Sequence, residues 1–281
     1  MKTHYNVPIQ QLTTFQNQGT IHRVVTVGTV TELQSYLKEA PSFTVIGKGS
    51  NMVISSTIDQ DLLIISPTFT PCKCDGGLLT VGAGVTVNQL MKMLIQKHLT
   101  GLEFMAGVPA SVGGMVAMNF GCWGRSISDT LQEIQMMTID GQIQTISNPN
   151  LHFSYRYSDV QAHQWIVLSA RFKLNSEDPA VIQHTIESNI QQRLEKQPLR
   201  AKTFGSVFKN PPNGYAAQLI ESLGLKGHVK GQVKISEKHA NFFVNLGNAT
   251  FNQLQEMIHF VQEKVHTKYG IMLETEVKLL G

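Results

Sequence analysis

The chain has 281 residues, 42% hydrophobic and 15% charged, with a net charge of +3 and three cysteines. That is enough apolar material for a sizeable core, in two or three lobes at roughly 100–200 residues per domain. No apolar run approaches the about 20 residues a membrane span needs, the N-terminal MKTHYNVPIQQ has no apolar signal core, and Cys72, Cys74 and Cys122 are too few and too uneven for a disulfide framework, so a soluble cytoplasmic protein without membrane insertion is expected.

From His22 to Val27 a β-branched run reads as a strand. Thr29-x-x-Glu32 then opens a helix to about Glu39 as a capping box, and a second strand, Phe43 to Ile46, runs into the tight polar loop Gly47-Lys48-Gly49-Ser50-Asn51. The carboxyl end of a strand is where an α/β sheet delivers ligands, and the loop's Gly, Ser and Asn can offer donors to a phosphate. It lacks the Lys-Ser/Thr pair of a Walker loop and is not G-x-G-x-x-G. Taken alone, it is equally readable as a turn.

Strands are expected at Met52–Ser55, Leu62–Ser66 and Leu78–Gly82, and no metal site at Cys72-x-Cys74, which lacks nearby Cys or His partners. Thr86-x-x-Gln89 opens a helix whose Leu90, Met93 and Leu94 share a face. Residues 101–128 follow, with six glycines and only two charged residues, Glu103 and Arg125. Interleaved Val108, Val112, Met115, Val116 and Met118 point to a packed, buried loop rather than a linker or an amphipathic helix. It reads as an anion cradle or as a glycine-rich turn between core strands, and the glycine content leaves both open.

Ile134–Ile139 and Gln142–Ile146 form a hairpin around Gly141, and Trp165–Leu174 is a longer strand. Between them Arg156, flanked by aromatics in Phe153-Ser154-Tyr155-Arg156-Tyr157-Ser158, can present a fork to a carboxylate or lay its stem over the rings. A polar helix from about Pro179 to Lys196 precedes a basic segment. Residues 193–240 carry nine Lys/Arg against three Glu, net +6, leaving −3 elsewhere. Such a field steers anions. Without interleaved aromatics or a helix-turn-helix it favours a small phosphorylated ligand over nucleic acid, with a solvated charged face as the plainer reading. Within it, Thr203–Pro212 is a compact loop, Ala216–Leu223 a helix stopped by Gly224, and Asn241–Asn245 a strand. A helix capped by Thr250 runs to about Tyr269, before a last strand over Met272–Leu280.

Seven stretches, in order, resemble the UDP-N-acetylenolpyruvoylglucosamine reductases, the MurB family of cell-wall flavoenzymes. They are GKGSNMVIS (47–55), residues 101–128, Tyr155-Arg156, GSVFKNP (205–211), QLIESLGLKG (218–227), SEKHANFFVNLGNAT (236–250) and LETEVKLLG (273–281). The resemblance implies an α+β protein with a two-lobed FAD-binding domain of the vanillyl-alcohol-oxidase/PCMH type, then an α+β substrate-binding domain. The lobes would be 1–66 and 67–176, with a connecting helix at 177–198 and the substrate-binding domain at 199–281, its final strand free to return to the first lobe. It implies non-covalent FAD, NADPH as reductant and UDP-N-acetylglucosamine enolpyruvate as the substrate reduced to UDP-N-acetylmuramate.

By motif match, FAD would be held by Gly47, Lys48, Gly49, Ser50, Asn51, Met52, Gly107, Pro109, Ser111, Val112, Gly113, Gly114, Asn119 and Gly121. Arg156 would face the substrate carboxylate, Glu276 would polarise it in protonated form, and Ser206 would give a proton to the adjacent carbon through water or Lys209. Tyr155, Lys209, Asn210, Gln218, Lys238 and Asn241 would contact substrate. The chain departs from the family pattern at Thr13–Gly19, Lys48, Cys122-Trp123 and Lys278, and Cys122 raises the question of covalent flavin. Two rivals stand beside this reading: a flavin-linked oxidase or dehydrogenase of a small alcohol, and a non-catalytic nucleotide-sugar-binding flavoprotein.

Overall fold

The computed structural model describes residues 1–39 and 42–281 and shows an α+β chain. Helices are α1 (Val30–Glu39), α2 (Val87–Lys97), α3 (Val112–Ala117), α4 (Asp159–Ala162), α5 (Pro179–Lys196), α6 (Ala216–Glu221) and α7 (Phe251–Tyr269). None is long and apolar enough to cross a membrane. The chain forms two compact units, each discontinuous in sequence: Met1–Tyr5, Arg23–Lys48 and Gln60–Gln192 in the first, and Asn6–His22, Gly49–Asp59 and Arg193–Gly281 in the second.

The first unit holds two larger sheets beside small two-stranded pairs. In one, residues 24–27 pair in parallel with 62–65, and 43–45 with 61–63, the connection between 27 and 43 running through α1. The other is an antiparallel sheet in the order Ile143–Ser147, Leu131–Met137, Ile166–Lys173, Leu78–Gly82, Lys73–Asp75. Its 131–137/143–147 hairpin is the one expected around Gly141. Val25, Leu33, Leu63, Val81, Leu90, Met115, Ile134 and Leu168 belong to one continuous buried cluster. At about 25 cal/mol per Å² of apolar area removed from water, that burial is the main term holding the unit together.

On α2 the capping box of Thr86 and Gln89 forms as read. The buried face is Val87, Leu90, Met91 and Leu94, so Met91 rather than Met93 completes the stripe. The spacing i, i+3, i+4, i+7 starts at Val87, one turn earlier than the sequence reading placed it. At α1 only half of the expected box forms: Thr29 accepts from the Glu32 N–H, while the Glu32 carboxylate accepts from Gly28.

The second unit has a three-stranded antiparallel sheet, Val229–Lys230, Val233–Ile235 and Phe243–Asn245, and a parallel pair joining Met52–Ile54 to Lys278–Leu280. Phe15, Phe208, Phe243, Leu254, Met257 and Val261 lie in its buried cluster. α7 is capped as read, by a Thr250/Gln253 box at its start and by left-handed Gly270 (φ 68°) at its end.

Two further expectations are corrected. The stretch read as loop throughout contains α3, because Met115 and Val116 gain burial there that outweighs the poor helix propensity of Gly113 and Gly114. The last strand is Lys278–Leu280, not Met272–Leu280. Upstream of it, backbone bonding is turned toward another loop: the Glu274 carbonyl accepts from Lys209 N–H and the Glu276 N–H donates to Val207, each at 2.8 Å.

One buried polar cluster stiffens the first unit. Tyr36 Oη donates to Asp61 Oδ2 (2.9 Å), Arg23 Nη1 lies 3.3 Å from the same oxygen, and burial pushes the Tyr36 phenol well above its ordinary value. Asp61→Ala leaves the guanidinium and the phenol without their acceptor and is expected to lose about 2–4 kcal/mol. Urea midpoints at unchanged m-value measure the loss.

Candidate active site

In the first unit, the end of one predicted cradle meets the other. A Cβ built on Gly47 would stand 2.4 Å from Ser111 Oγ, and one on Gly113 would stand 2.9 Å from Ala83 Cβ. Gly113 N–H donates to Ala83 O and Val112 N–H to Val85 O, both at 2.9 Å, which fastens the loop to the end of strand 78–82. Ser111 sits at the N-cap of α3, yet its hydroxyl makes no cap bond. Gly107 takes a left-handed φ of 82°, and so does buried Asn119 at 39°. Asn119 Nδ2 donates to Ser154 O (2.9 Å), while its Oδ1 has no partner among the described residues. Gly114 is partly exposed beside Ser111, Gly121 is partly exposed, and Lys48 and Pro109 are exposed.

This set fits a flavin dinucleotide. The bare Gly47 backbone lies against the Ser111 hydroxyl, which makes no cap bond to α3, and backbone N–H groups beside a hydroxyl are chemistry suited to a pyrophosphate. Among the described residues no three His, Cys, Asp or Glu gather as metal ligands.

Arg156 lies in a two-residue turn between Phe153–Ser154 and Tyr157–Ser158. Its guanidinium carbon is 5.6 Å from the Phe120 ring centroid and 5.1 Å from that of exposed Tyr155, and Nη1 donates to Gly121 O (3.0 Å). Stacked and tethered, it is a cation held in one direction. Cys122 Sγ donates to Phe104 O (3.2 Å).

The second unit contains Gly49, Ser50, Asn51 and Met52. Gly49 is left-handed (φ 60°), and a Cβ there would lie 2.0 Å from Leu12 O. Asn51 Nδ2 donates to Glu276 O (3.1 Å) and Asn51 O accepts from Lys278 N–H (3.0 Å), so a predicted cofactor residue holds the backbone of the predicted acid. Met52 pairs with Lys278.

Ser206 and Glu276 come together through one residue. Val207 O accepts the Glu276 N–H (2.8 Å), and the Val207 N–H donates to Asn241 O (2.9 Å). Buried Asn241 both accepts from Phe208 N–H (3.0 Å) and donates to Phe208 O (2.8 Å). Its amide is thereby engaged in holding the Ser206 loop. Ser206 itself bridges to Phe242.

The remaining predicted contacts are more peripheral. Lys209 pairs with Glu274 (3.1 Å), and Asn210 Oδ1 accepts from Ala216 N–H (3.1 Å) at the start of α6. Gln218 is exposed on α6. Lys238 Nζ donates to Leu194 O (2.6 Å) and, with Arg200, Gln197 and Pro198, lines a cavity of about 610 Å³ that includes neither Ser206 nor Glu276. Thr14 lies outside the residues expected to bind: its backbone N–H donates to Gly49 O (3.1 Å), and its buried Oγ1 has no partner among the described residues. Its only signal was the Thr13-Thr14-Phe15 run.

His239 bonds to Asn241, whose carbonyl in turn accepts from Val207 in the Ser206 loop. Its Nδ1 accepts from Asn241 N–H (3.3 Å), which requires a neutral ring, and burial holds its pKa below the ordinary value, with Lys226 adding to this and Glu221 opposing it. The unfolded chain takes up a proton here below about pH 6.5, whereas the native chain does so only at lower pH, so this group's stabilisation is lost as pH falls through that window. Compared with the native chain, His239→Gln is expected to show a smaller drop in melting temperature between pH 7.5 and 5.5. Gly49→Ala is expected to lower stability by more than about 2 kcal/mol, measured by chemical denaturation, because it adds a strained φ to a clash with backbone.

Residues 197–280 match the family model described as the C-terminal domain of UDP-N-acetylenolpyruvoylglucosamine reductase, and residues 21–147 match an FAD binding domain. The UDP-N-acetylenolpyruvoylglucosamine reductase of Caldanaerobacter subterraneus subsp. tengcongensis is 34% identical over all of this chain and 94% of its own length. That of Pediococcus pentosaceus is 37% identical over 98% of this chain and 93% of its own. The crystal structure of the reductase (MurB) from Thermus caldophilus superposes with a TM-score of 0.85 at 31% identity, covering 100% of this chain and 98% of that one. The C-terminal match is to the reductase's own domain, which does not favour the alcohol-oxidase reading. By full-length identity, by both domain matches and by fold, the chain belongs to the UDP-N-acetylenolpyruvoylglucosamine reductase family.

Proposed function

We propose that the chain reduces UDP-N-acetylglucosamine enolpyruvate to UDP-N-acetylmuramate with NADPH, as a cytoplasmic step of peptidoglycan precursor synthesis. The observation that carries the chemistry is the Val207 carbonyl, which joins the Ser206 loop to the Glu276 backbone at 2.8 Å. With Glu276 donating this bond and Ser206 next in the chain to its acceptor, the backbones that carry a proton donor and a polarising acid are held in register.

FAD, when bound, supplies the hydride that NADPH provides, and Gly47, Ser111, Gly113, Gly114 and Asn119 are the residues that would hold it. The lobes 1–66 and 67–176 are proposed as its holder and 199–281 as the substrate-binding part. The chain's own task is to manage charge. Reducing the double bond at its terminal carbon places negative charge on the carboxylate end, and preorganised donors there are worth a few kcal/mol each. Arg156 meets the carboxylate with a fixed cation, Glu276 shares the developing charge as a protonated acid, and Ser206 delivers the proton to the adjacent carbon. Lys209, paired with Glu274, keeps a positive charge on the loop that follows Ser206. Cysteines 72, 74 and 122, which form no disulfide among the described residues, suit a reducing compartment.

With the purified protein under anaerobic conditions, flavin bleached by NADPH is expected to regain its absorbance only when the enolpyruvyl sugar is added. Recovery without the sugar, or none with it, would reject the assignment. Ser206→Ala is expected to leave the NADPH step near its original rate and slow the sugar-dependent step by about 10²-fold or more, a typical range for a lost general acid. Equal losses in both steps would remove Ser206 from the proton-donor role. Acid precipitation is expected to release all the yellow colour, with none retained on Cys122.

A further inference from the structure

Ser158 occupies the N-cap of α4, where a serine hydroxyl ordinarily accepts from a backbone N–H two or three residues on and stabilises the helix by about 1 kcal/mol. Here it makes no such bond. The side chain is fully buried, and its hydroxyl donates instead to the carbonyl of Ala117 at 2.7 Å, 41 residues earlier in the chain. A four-residue helix is the kind least able to forgo its cap. Such a departure from local preference marks a place where another requirement prevails.

The requirement is visible two residues upstream. Ser158 ends the hairpin whose turn carries Arg156 at φ 58°, a position where glycine or asparagine is usual. Holding another residue there costs about 1–3 kcal/mol, so the surroundings must impose it. Three further hydrogen bonds tie the hairpin and α4 to the stretch 117–121. Gln161 Nε2 donates to the same Ala117 carbonyl, Asn119 Nδ2 to Ser154 O, and Arg156 Nη1 to Gly121 O. The base of the hairpin is closed by the Asp159 carboxylate, which accepts from His152 N–H at 2.8 Å.

We propose that Ser158 is a positioning residue: anchored to Ala117, it fixes the strained turn and sets the Arg156 guanidinium for a carboxylate before the substrate arrives. The inference rests on the reading of Arg156 as the carboxylate-binding cation. The anchoring stretch is continuous with the flavin loop 107–121, so the cofactor loop and the arginine form one braced piece of the first unit. Bracing of this kind removes an ordering loss from substrate binding.

The test compares holoenzymes of the native chain, Ser158→Ala, Arg156→Lys and the double variant by two readouts. One is hydrogen exchange of the peptide covering residues 153–158. The other is equilibrium titration with the enolpyruvyl UDP-sugar, followed by the flavin spectrum. Ser158→Ala is expected to speed exchange in that peptide and weaken the sugar's Kd, each by about tenfold, equivalent to about 1.4 kcal/mol. FAD content and the NADPH reduction rate should stay at native values. In the Arg156→Lys background the same change should weaken Kd no further, because the residue it acts through is gone. Unchanged exchange, an unchanged Kd or an additive loss in the double variant overturns the proposal. Gln161→Met, at a partly exposed site, removes the second donor to the Ala117 carbonyl and should move both readouts the same way even if Ser158→Ala does not fold; no movement in either is also fatal. A native holoenzyme whose spectrum ignores the sugar would instead reject the functional reading, while the exchange result still decides whether Ser158 holds the turn.

Discussion

A backbone N–H or C=O buried outside a helix or sheet must find a partner, and leaving it unmet costs about 1–3 kcal/mol. Loops that carry chemistry face this constraint most sharply, because regular ladders do not reach them. In this chain asparagine amides, most of them buried, take that part. Asn241 brackets Phe208 from both sides, and Asn245 donates to Phe15 O and Gln16 O while accepting from Gly247 and Ala249. Asn17 donates to Ile54 O, Asn51 to Glu276 O and Asn119 to Ser154 O. An amide offers two donors and an acceptor on one short arm, whereas aspartate offers acceptors alone, so the clamp is specific to asparagine.

Close approach is the second constraint. At Gly49 the loop passes so near Leu12 that a methyl group would overlap its carbonyl, and the left-handed φ there excludes ordinary side chains independently. At Gly113 the short α3 lies against Ala83, which lets the loop hydrogen-bond to the end of a core strand. At Gly47 and Gly113 the chain comes this close to the Ser111 and Ala83 side chains because no Cβ stands between them.

Local rules are broken where the chemistry is read. Ser111 and Ser158 sit at N-caps without capping, and Arg156 holds a conformation that favours glycine. Thr86 and Thr250, by contrast, form complete capping boxes and Gly270 closes α7, although Gln16 and Gln164 also hold a left-handed φ and the α1 box forms only in half.

Much of the architecture was legible in the sequence, because hydrophobic period and capping chemistry are local. The 166–173 strand, the 131–147 hairpin, α2, α5 and α7 all follow from side chains within a few residues of one another. Motif order was equally legible and carried the family, since each stretch keeps its residues at fixed spacing. The tertiary structure alone decided what depends on distant partners: that residues 112–117 coil into a helix against Ala83, that the last strand begins only at Lys278, and that Asn241, Asn51 and Ser158 turn their side chains to backbone 33, 225 and 41 residues away. A side chain's composition is written at its own position, but its hydrogen-bond partner is chosen by the fold, and no period or spacing along the chain encodes that choice.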